Sequence, residues 1–408
     1  MRVLFIVGTC LSKNTSANMS HNSYIRGLVE NGCEVDVIMK NDSWGQTDSA
    51  LNKINGVNYI EFESTSWIDK IRIRARGNVS RNVADGCKSV STDNSNSKFS
   101  TSLKLRSILK TAFYKLFPQD KVYPLDKKWI STTQKFCNHD EYDLVVSNSS
   151  PSASHKVAQL LIESGRVKTK RWVQIWEDPW SHDLYGNHSA AIENEEKNLL
   201  EAASEIFYVS PLTTEYQKRY FPTAAHKMNT IPLPYFEIDD CENGSMTLDA
   251  PIKYGYFGDY YSHTRNLLPF FNAMNNSQRS GYIFGDTDLL LQSETVEISP
   301  RVTLDVLKKV QRQTSVLVHL SNLYGGQIPG KIYHYSATNK PILFILDGTD
   351  EEKQLLTKHF GVVNRYYFCD NTQESIMQAM DAIESEFCSK DEQPVLQYSP
   401  KEVVKLFL

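Results

Sequence analysis

Short apolar runs alternate with longer, more polar stretches along most of the chain, and this pattern predicts strands and helices in turn. The first forty residues show it clearly: 2–7 predicts a buried strand, 22–31 predicts a helix that ends at Gly32, and 34–39 predicts a second strand. A strand, a helix and a strand with short connections are typical of a right-handed parallel crossover. Three further apolar runs predict more strands of the same sheet, at 143–146, 171–175 and 205–209.

A second series of the same kind begins after the polar stretch 239–249. It contains predicted strands at 253–257, 282–284, 316–320 and 341–345, with helices between them at 267–274 and 303–313. Strands and helices in this order predict an α/β fold with two doubly wound domains. We place the first domain at 1–238, a linker at 239–250, the second domain at 251–395, and at 396–408 a C-terminal helix positioned to cross back to the first domain.

The composition is that of a soluble enzyme with two ordinary cores, because 40% of the 408 residues are hydrophobic and 23% are charged. The seven cysteines are scattered and form no Cys-x-x-Cys pair, which argues against a disulfide framework and a zinc ribbon and favours a reducing compartment. No apolar run approaches the roughly 20 residues that a membrane-spanning helix needs. We therefore predict a cytoplasmic protein that binds no metal.

Charge is distributed unevenly in a chain whose formal net charge is −4. The segment 66–129 carries 14 Lys and Arg against 5 Asp and Glu, and within it 103–117 has one apolar helical stripe bordered by basic residues. Such a helix can lie in an anionic membrane surface, which would make the protein peripheral on the inner face of the cell membrane. The alternative is a helix that packs on its own domain with solvated lysines at its edge.

The most informative local sequence is 322–341, which follows a predicted strand and contains the pair Gly325-Gly326. Pro329 suits the first turn of a helix, where free backbone N–H groups and the helix dipole favour an anion. Lys331 would add a full positive charge in that turn. The segment therefore predicts a diphosphate site, and the alternative is an ordinary strand-to-helix turn that requires glycine.

This block resembles the nucleotide-sugar site of retaining GT-B glycosyltransferases of the family-4 kind. Their short form is a glycine-containing loop, Pro-x-Lys, an aromatic residue, usually Glu, and then Tyr-x-Ala-x-Gly-Lys-Pro, with Asn339 here in place of the last Gly. The segment 254–259 and Arg265 resemble the block that opens the second domain of that family, where a basic residue faces the diphosphate. The resemblance implies a donor site made of Gly258, Asp259, Arg265, Gly325, Gly326, Gln327, Pro329, Lys331 and His334.

In the first domain, 147–155 resembles the family's Ser-x-Pro-x-x-x-His stretch, and 176–180 resembles its Asp-Pro-Trp. Both would lie at carboxyl ends of strands, where open α/β sheets bind ligands. The resemblance implies that Asp178, Glu177 and His155 act on the acceptor hydroxyl. Each also has a structural alternative, because Asp178 can cap the turn before Pro179 and His155 can cap a helix.

The polar stretch 12–22 lacks the Gly-x-Gly-x-x-Gly fingerprint that a dinucleotide fold would show there. It suits a first-domain loop that faces a sugar, or else a solvated loop. The acceptor-binding residues predicted from it and from the Asp-Pro-Trp block are Asn14, Ser16, His21 and Trp180, although Trp is more often used in cores.

Two positions depart from the family pattern. His334 stands where the family has a Glu that holds the donor ribose, and Gly326 stands at the first acidic position of its longer Glu-x7-Glu motif. An imidazole cannot accept two hydrogen bonds at once as a carboxylate does. The alternative reading of His334 is an ordinary histidine on the helix face. The tripeptide 286–288 matches the Asp-x-Asp metal motif of the other, GT-A, architecture, but it lies inside the second domain, and we predict a solvated loop there.

The resemblance as a whole implies a retaining GT-B glycosyltransferase without a cofactor. Its donor would be a nucleotide-diphosphate sugar of the UDP or GDP type, and its acceptor a glycan, linked to polyprenyl diphosphate at the membrane in surface polysaccharide assembly. No nucleic-acid partner is expected. Two alternatives stay open: a non-catalytic relative that binds a glycan or a protein, and a nucleotide-sugar epimerase, which the basic segment disfavours. The missing glycine fingerprint disfavours a nicotinamide dehydrogenase.

Overall fold

The structure is a computed structural model that describes residues 1–11, 15–41, 51–64, 122–184, 186, 188–236, 251–363, 365–387 and 393–408. The predicted linker 239–250, the predicted helix 103–117 and Asn14 lie outside these ranges, as does most of the basic segment 66–129.

A parallel sheet of seven strands forms the centre of the first domain. Its strands are β1 (Arg2–Val7), β2 (Glu34–Asn41), β3 (Val57–Glu63), β5 (Leu144–Asn148), β7 (Trp172–Trp176), β8 (Glu205–Tyr208) and β9 (Met228–Thr230). Their order across the sheet is β3-β2-β1-β5-β7-β8-β9. The strand order therefore reverses direction between β1 and β5, and the crevice at such a reversal is where open α/β sheets bind ligands. The short strands β4 (Glu141–Tyr142) and β6 (Lys168–Thr169) pair with each other beside this sheet.

The helices described in the first domain are α1 (Ser16–Glu30), α2 (Lys127–Thr133), α3 (Ala153–Glu163), α4 (Ala190–Ala202) and α5 (Pro211–Tyr220). Helix α1 corrects the sequence prediction of a polar loop at 12–22. It begins six residues before the predicted helix, with Thr15 as its N-cap: the Thr15 side chain accepts a hydrogen bond from the Asn18 backbone N–H. Polar side chains of its first turns are buried against the sheet, so hydrophobic periodicity could not reveal this part of the helix.

A second parallel sheet forms the centre of the second domain. Its strands are β10 (Lys253–Phe257), β11 (Ser280–Phe284), β12 (Val296–Ser299), β13 (Val316–Leu320), β14 (Ile342–Leu346) and β15 (Tyr366–Asp370). They lie in the order β12-β11-β10-β13-β14-β15, with the reversal between β10 and β13. The helices around it are α6 (Leu268–Asn276), α7 (Leu304–Arg312), α8 (Lys331–Tyr335), α9 (Asp350–Phe360) and α10 (Gln373–Glu386).

The C-terminal segment returns to the first domain, which confirms the predicted crossing. Helix α11 (Pro400–Val404) packs on α1, where the Asn31 amide donates a hydrogen bond of 2.8 Å to the Lys401 carbonyl. The approach is close because Gly27 has no side chain: a Cβ there would lie 2.1 Å from the Pro400 carbonyl oxygen. One apolar cluster contains buried side chains of both sheets and of this segment, so the two domains share a core.

Candidate functional site

The predicted donor loop lies between the two domains and is held by helix α5. Gly325 and Gly326 have φ values of 95° and 73°, the left-handed region that favours glycine. The Gly326 carbonyl accepts hydrogen bonds from the Ser210 hydroxyl at 2.6 Å and the Thr213 hydroxyl at 2.9 Å. The glycine pair therefore shapes a loop of the second domain that sits directly on the first.

Three cationic side chains meet at the carboxyl ends of β10 and β12, near the start of α8. Arg265 donates to the Asn322 side-chain oxygen from Nε at 2.9 Å and from Nη2 at 2.8 Å, and its Nη1 donates to the Asp259 carbonyl at 2.8 Å. Lys331 donates from Nζ to the Phe257 carbonyl. Arg301 pairs with the Asp259 carboxylate through Nε and Nη2.

The electrostatics of this group favour an anion. Burial lowers the pKa of Lys331 to about 8; Asp259 opposes that shift, while Arg265 and Arg301 add to it. A hydrogen bond from Arg301 lowers the pKa of Asp259, which therefore stays ionised. The carboxylates of Asp259 and Asp286 both pair with Arg301, so the three cations of this group exceed its two carboxylates by one positive charge, which favours a bound anion such as a diphosphate.

Arg301 was missed by the sequence analysis. It follows β12, a short strand that the apolar pattern did not predict, and it comes three residues after the last apolar residue of that strand. The signal that the sequence offered is weak: a basic residue that follows a short, partly apolar segment of the second domain by three positions.

Two other predicted donor-site residues, Gly258 and Pro329, lie next to the ends of a strand and a helix. Gly258 follows β10, and its N–H donates to the Phe284 carbonyl at 2.9 Å. Pro329 is half-buried two residues before α8, whose N-cap is Gly330. The predicted helix start near Pro329 is therefore confirmed, although the helix has only five residues.

His334 lies on α8, half-buried, and its side chain makes no hydrogen bond within the part of the chain that the structure describes. Burial, and after it the neighbouring Lys331, lower the pKa of His334 to about 4. The ring is therefore neutral near pH 7 and offers one donor and one acceptor nitrogen.

Gln327 joins the donor loop to the acidic residues of the first domain. Its amide nitrogen donates to Asp178 Oδ1 at 2.5 Å and to Asp183 Oδ1 at 3.2 Å, and its oxygen accepts from the Leu184 N–H at 3.1 Å. The surrounding protein atoms raise the pKa of Asp178 to about 6 although part of its side chain stays exposed; the hydrogen bond from Gln327 opposes this shift, and the carboxylates of Glu177 and Asp183 add to it. The structure thus brings Asp178 next to the donor loop.

Glu177 precedes Asp178 at the end of β7, and its carboxylate Oε1 lies 3.0 Å from Nε2 of His21. His21 was predicted to contact the acceptor, but its side chain has no exposed surface. Ser16, from the same predicted set, is exposed in the first turn of α1.

His155 and Trp180 both pack against other side chains of the first domain. His155 is buried, its Nδ1 lies 2.8 Å from the Ser147 hydroxyl, and its ring centroid is 4.0 Å from that of Trp176. Burial lowers the pKa of His155 to about 3, so this ring is neutral. Trp180 is half-buried and packs on Tyr123 with 5.3 Å between ring centroids.

Both carboxylates of the Asp-x-Asp tripeptide accept hydrogen bonds from neighbouring residues of the second domain. Asp288 accepts from the Ser262 N–H at 2.8 Å and from its hydroxyl at 2.6 Å, and Asp286 accepts from the Arg301 N–H at 3.2 Å. Among the described residues, no three His, Cys, Asp or Glu side chains form a group that could ligate a metal. Within the same residues, no helix has the length and hydropathy of a membrane span.

The two facing Rossmann-like domains and the returning C-terminal helix define the GT-B fold. Solved structures of similar fold include a glycosyltransferase from Rickettsia africae ESF-5, with 11% identity, 100% of this chain and 94% of that chain covered, and a TM-score of 0.50. The catalytic domain of starch synthase IV from Arabidopsis thaliana, bound to ADP and acarbose, has 9% identity, coverages of 99% and 95%, and a TM-score of 0.55. An α-glucosyltransferase in complex with UDP and a mismatched 13-mer DNA has 12% identity, coverages of 98% and 94%, and a TM-score of 0.51.

At these identities the similarity shows the fold alone. The sequence matches no family model and no curated protein sequence. What the protein does must therefore be argued from its own residues.

Proposed function

We propose that this protein is a glycosyltransferase that moves a sugar from a nucleotide-diphosphate sugar, of the UDP or GDP type, to a glycan acceptor with retention of configuration. The observation that carries the proposal is the cluster of Arg265, Arg301 and Lys331 at the carboxyl edge of the second sheet, beside a loop that reaches the carboxylate of Asp178. Solved structures of similar fold that hold UDP and ADP support a nucleoside diphosphate as the ligand of this edge.

In this proposal the cations stabilise the negative charge that develops on the leaving diphosphate. Asp178 and Glu177 stand on the opposite wall, where a carboxylate can orient the acceptor hydroxyl or accept its proton. The bond between the anomeric carbon and the diphosphate oxygen breaks as the acceptor oxygen bonds to that carbon on the same face, which retains the configuration, and the hydroxyl proton passes to the carboxylate that accepts it. Gln327 contacts both Asp178 and the backbone N–H of Leu184. These contacts would hold the two walls together in the closed enzyme.

Thermal unfolding with UDP, GDP, ADP, CMP and NAD in parallel tests the donor site. A ligand at about 100 times its Kd should add about 2.7 kcal/mol to stability. We expect one diphosphate to stabilise the protein and the Arg265→Met variant to lose that response. Arg312→Met is the matched control, because Arg312 is exposed at the end of α7. Stabilisation by NAD alone would contradict the proposal.

A non-catalytic relative is the second candidate, and the specific observation in its favour is His334. This neutral ring stands where a ribose-binding carboxylate belongs in the family that the sequence resembles. Such a protein would bind the diphosphate but release none from any nucleotide sugar, with or without an acceptor. Turnover of a nucleotide sugar would exclude this candidate.

We further propose that the acceptor is linked to a lipid diphosphate and that the basic segment 66–129 holds the enzyme at the membrane. The support is the sequence of that segment, with its 14 basic residues against 5 acidic ones. We expect the protein to sediment with phosphatidylglycerol vesicles at low salt and to be released at high salt, because screening weakens attraction between surface charges. Vesicles of phosphatidylcholine alone are the control. Failure to bind the anionic vesicles at low salt would contradict this part.

A further inference from the structure

Among the described residues, the ring nitrogens of His21 contact only oxygen atoms that accept hydrogen bonds. Its Nδ1 lies 2.7 Å from the Thr9 carbonyl oxygen, and its Nε2 lies 3.2 Å from the Ser149 carbonyl oxygen and 3.0 Å from Glu177 Oε1. A carbonyl oxygen has no hydrogen to give, and neither has an ionised carboxylate. Each ring nitrogen must therefore carry a hydrogen for its contact with a carbonyl oxygen to be a hydrogen bond, which makes His21 an imidazolium that forms an ion pair with Glu177.

The neutral alternative would place the proton on Glu177, which would donate it to Nε2. That arrangement leaves the Ser149 carbonyl 3.2 Å from a nitrogen lone pair, without a hydrogen between them. The elements packed on the ring bring Thr9 after β1, Ser149 after β5 and Glu177 after β7. Of these three residues only Glu177 has an ionisable side chain.

The remaining titratable groups nearby are Tyr24 on α1 and Asp178, both of which interact electrostatically with Glu177. Burial opposes charge on the ring, but the Glu177 carboxylate and the two carbonyls outweigh it and raise the pKa of His21.

The second oxygen of the Glu177 carboxylate, Oε2, is the atom that can accept a hydrogen bond from a ligand. Oε1 is buried, has no hydrogen-bonded partner within the described residues and meets His21 Nε2 as an ion pair at 3.0 Å, while 13% of the side chain is exposed. The Glu177 backbone N–H donates to the Ser149 hydroxyl at 3.1 Å, which fixes the residue from the main-chain side as well. Oε2 is thus held at the end of β7, one residue before Asp178.

We propose that His21 is a positioning residue: its doubly protonated ring holds Glu177 as a carboxylate whose Oε2 accepts a hydrogen bond from the hydroxyl group that attacks the donor. This role rests on the proposed function, whereas the ion pair itself does not. This positioning role takes the place of the direct contact with the acceptor that the sequence predicted for His21. The ring has no exposed surface, so it can affect a ligand only through a neighbouring residue such as Glu177.

Nitrogen NMR of protein labelled in its histidine rings tests the ion pair without any ligand. We expect the His21 signals, assigned by their loss in His21→Gln, to show two protonated nitrogens near neutral pH. His155 is the internal control, because it is equally buried, faces a hydroxyl and should be neutral. In Glu177→Gln the His21 pKa should fall by about 1–3 pH units, the effect of removing an opposite charge at this distance. A ring with one bare nitrogen in the unmodified protein would overturn the proposal.

The positioning role is tested by hydrolysis of the nucleotide sugar whose diphosphate stabilises the protein, with water as the attacking hydroxyl. His21→Gln and Glu177→Gln should each lower the hydrolysis rate by about 100-fold, the usual contribution of a positioned acid or base, and leave the Kd of the diphosphate unchanged. Ser20→Ala is the matched control, since Ser20 is buried on the same helix and, within the described residues, its hydroxyl donates only to the Ser16 carbonyl.

Unchanged hydrolysis in both variants would overturn the positioning role. If no diphosphate binds at all, the proposed function fails, while the NMR result still decides the ion pair.

Discussion

Replacing Lys331 by methionine is expected to weaken binding of the stabilising nucleoside diphosphate by about 10- to 100-fold, the range for a hydrogen bond to a charged group. Methionine keeps an unbranched apolar side chain of similar length and removes the ammonium. Isothermal titration of the diphosphate into both proteins measures the effect. Lys308→Met is the matched control, because Lys308 is exposed on α7.

The same lysine makes diphosphate binding depend on pH in a defined direction. Burial lowers its pKa to about 8, so the ammonium is charged below that pH and loses its proton above it. Diphosphate affinity should therefore fall between about pH 7 and about pH 9, and this fall should be absent from Lys331→Met. An identical pH dependence in the two proteins would show that Lys331 does not contact the ligand.

Unfolding cannot explain the predicted loss of binding. A lysine whose pKa is lower in the folded than in the unfolded state binds its proton less readily when folded, so its charge destabilises the fold below the folded pKa. Lys331→Met should therefore be at least as stable as the unmodified protein near neutral pH, as thermal unfolding without ligand would show.

Replacing Gly326 by alanine is expected to have the largest effect on the contact between the domains. The φ of 73° already costs an L-residue about 1–2 kcal/mol. A Cβ would also lie 2.5 Å from the Tyr216 ring, so the loop or the ring must shift, and overpacking of this kind costs about 1–3 kcal/mol more. The hydrogen bonds from Ser210 and Thr213 to the Gly326 carbonyl would be lost with it.

Thermal unfolding and small-angle scattering measure this prediction. Gly56→Ala is the matched control, because Gly56 has a φ of 83° and no atom within 4 Å of a Cβ, so it carries the conformational cost without the collision. Gly326→Ala should have a lower Tm than the control, a larger radius of gyration and a weaker response to the diphosphate. Equal behaviour of the two variants would mean that the loop does not hold the domains together.

Much of the architecture could be predicted because buried parallel strands are apolar throughout. Strands β1, β10 and β13 have the predicted bounds, and the other predicted strands differ by two residues or fewer. The strands of the two large sheets that were missed, β3, β9, β12 and β15, are the edge strands of those sheets, and the two-residue strands β4 and β6 were missed as well. An edge strand such as β3 has only half-buried and exposed positions, so no continuous apolar run marks it.

Residue types and spacing determined the two α/β domains, the strand ends that face each other and the presence of Lys331 and Arg265 near one of those ends. Such features depend on neighbours in the chain and on local periodicity, which one sequence contains. Only the tertiary structure decided which side chains meet across long separations: Arg301 with Asp259, Gln327 with Asp178, and His21 with Glu177. These pairs join residues that are 42, 149 and 156 positions apart, and whether a histidine is charged or neutral depends on the atoms that such contacts bring to its ring.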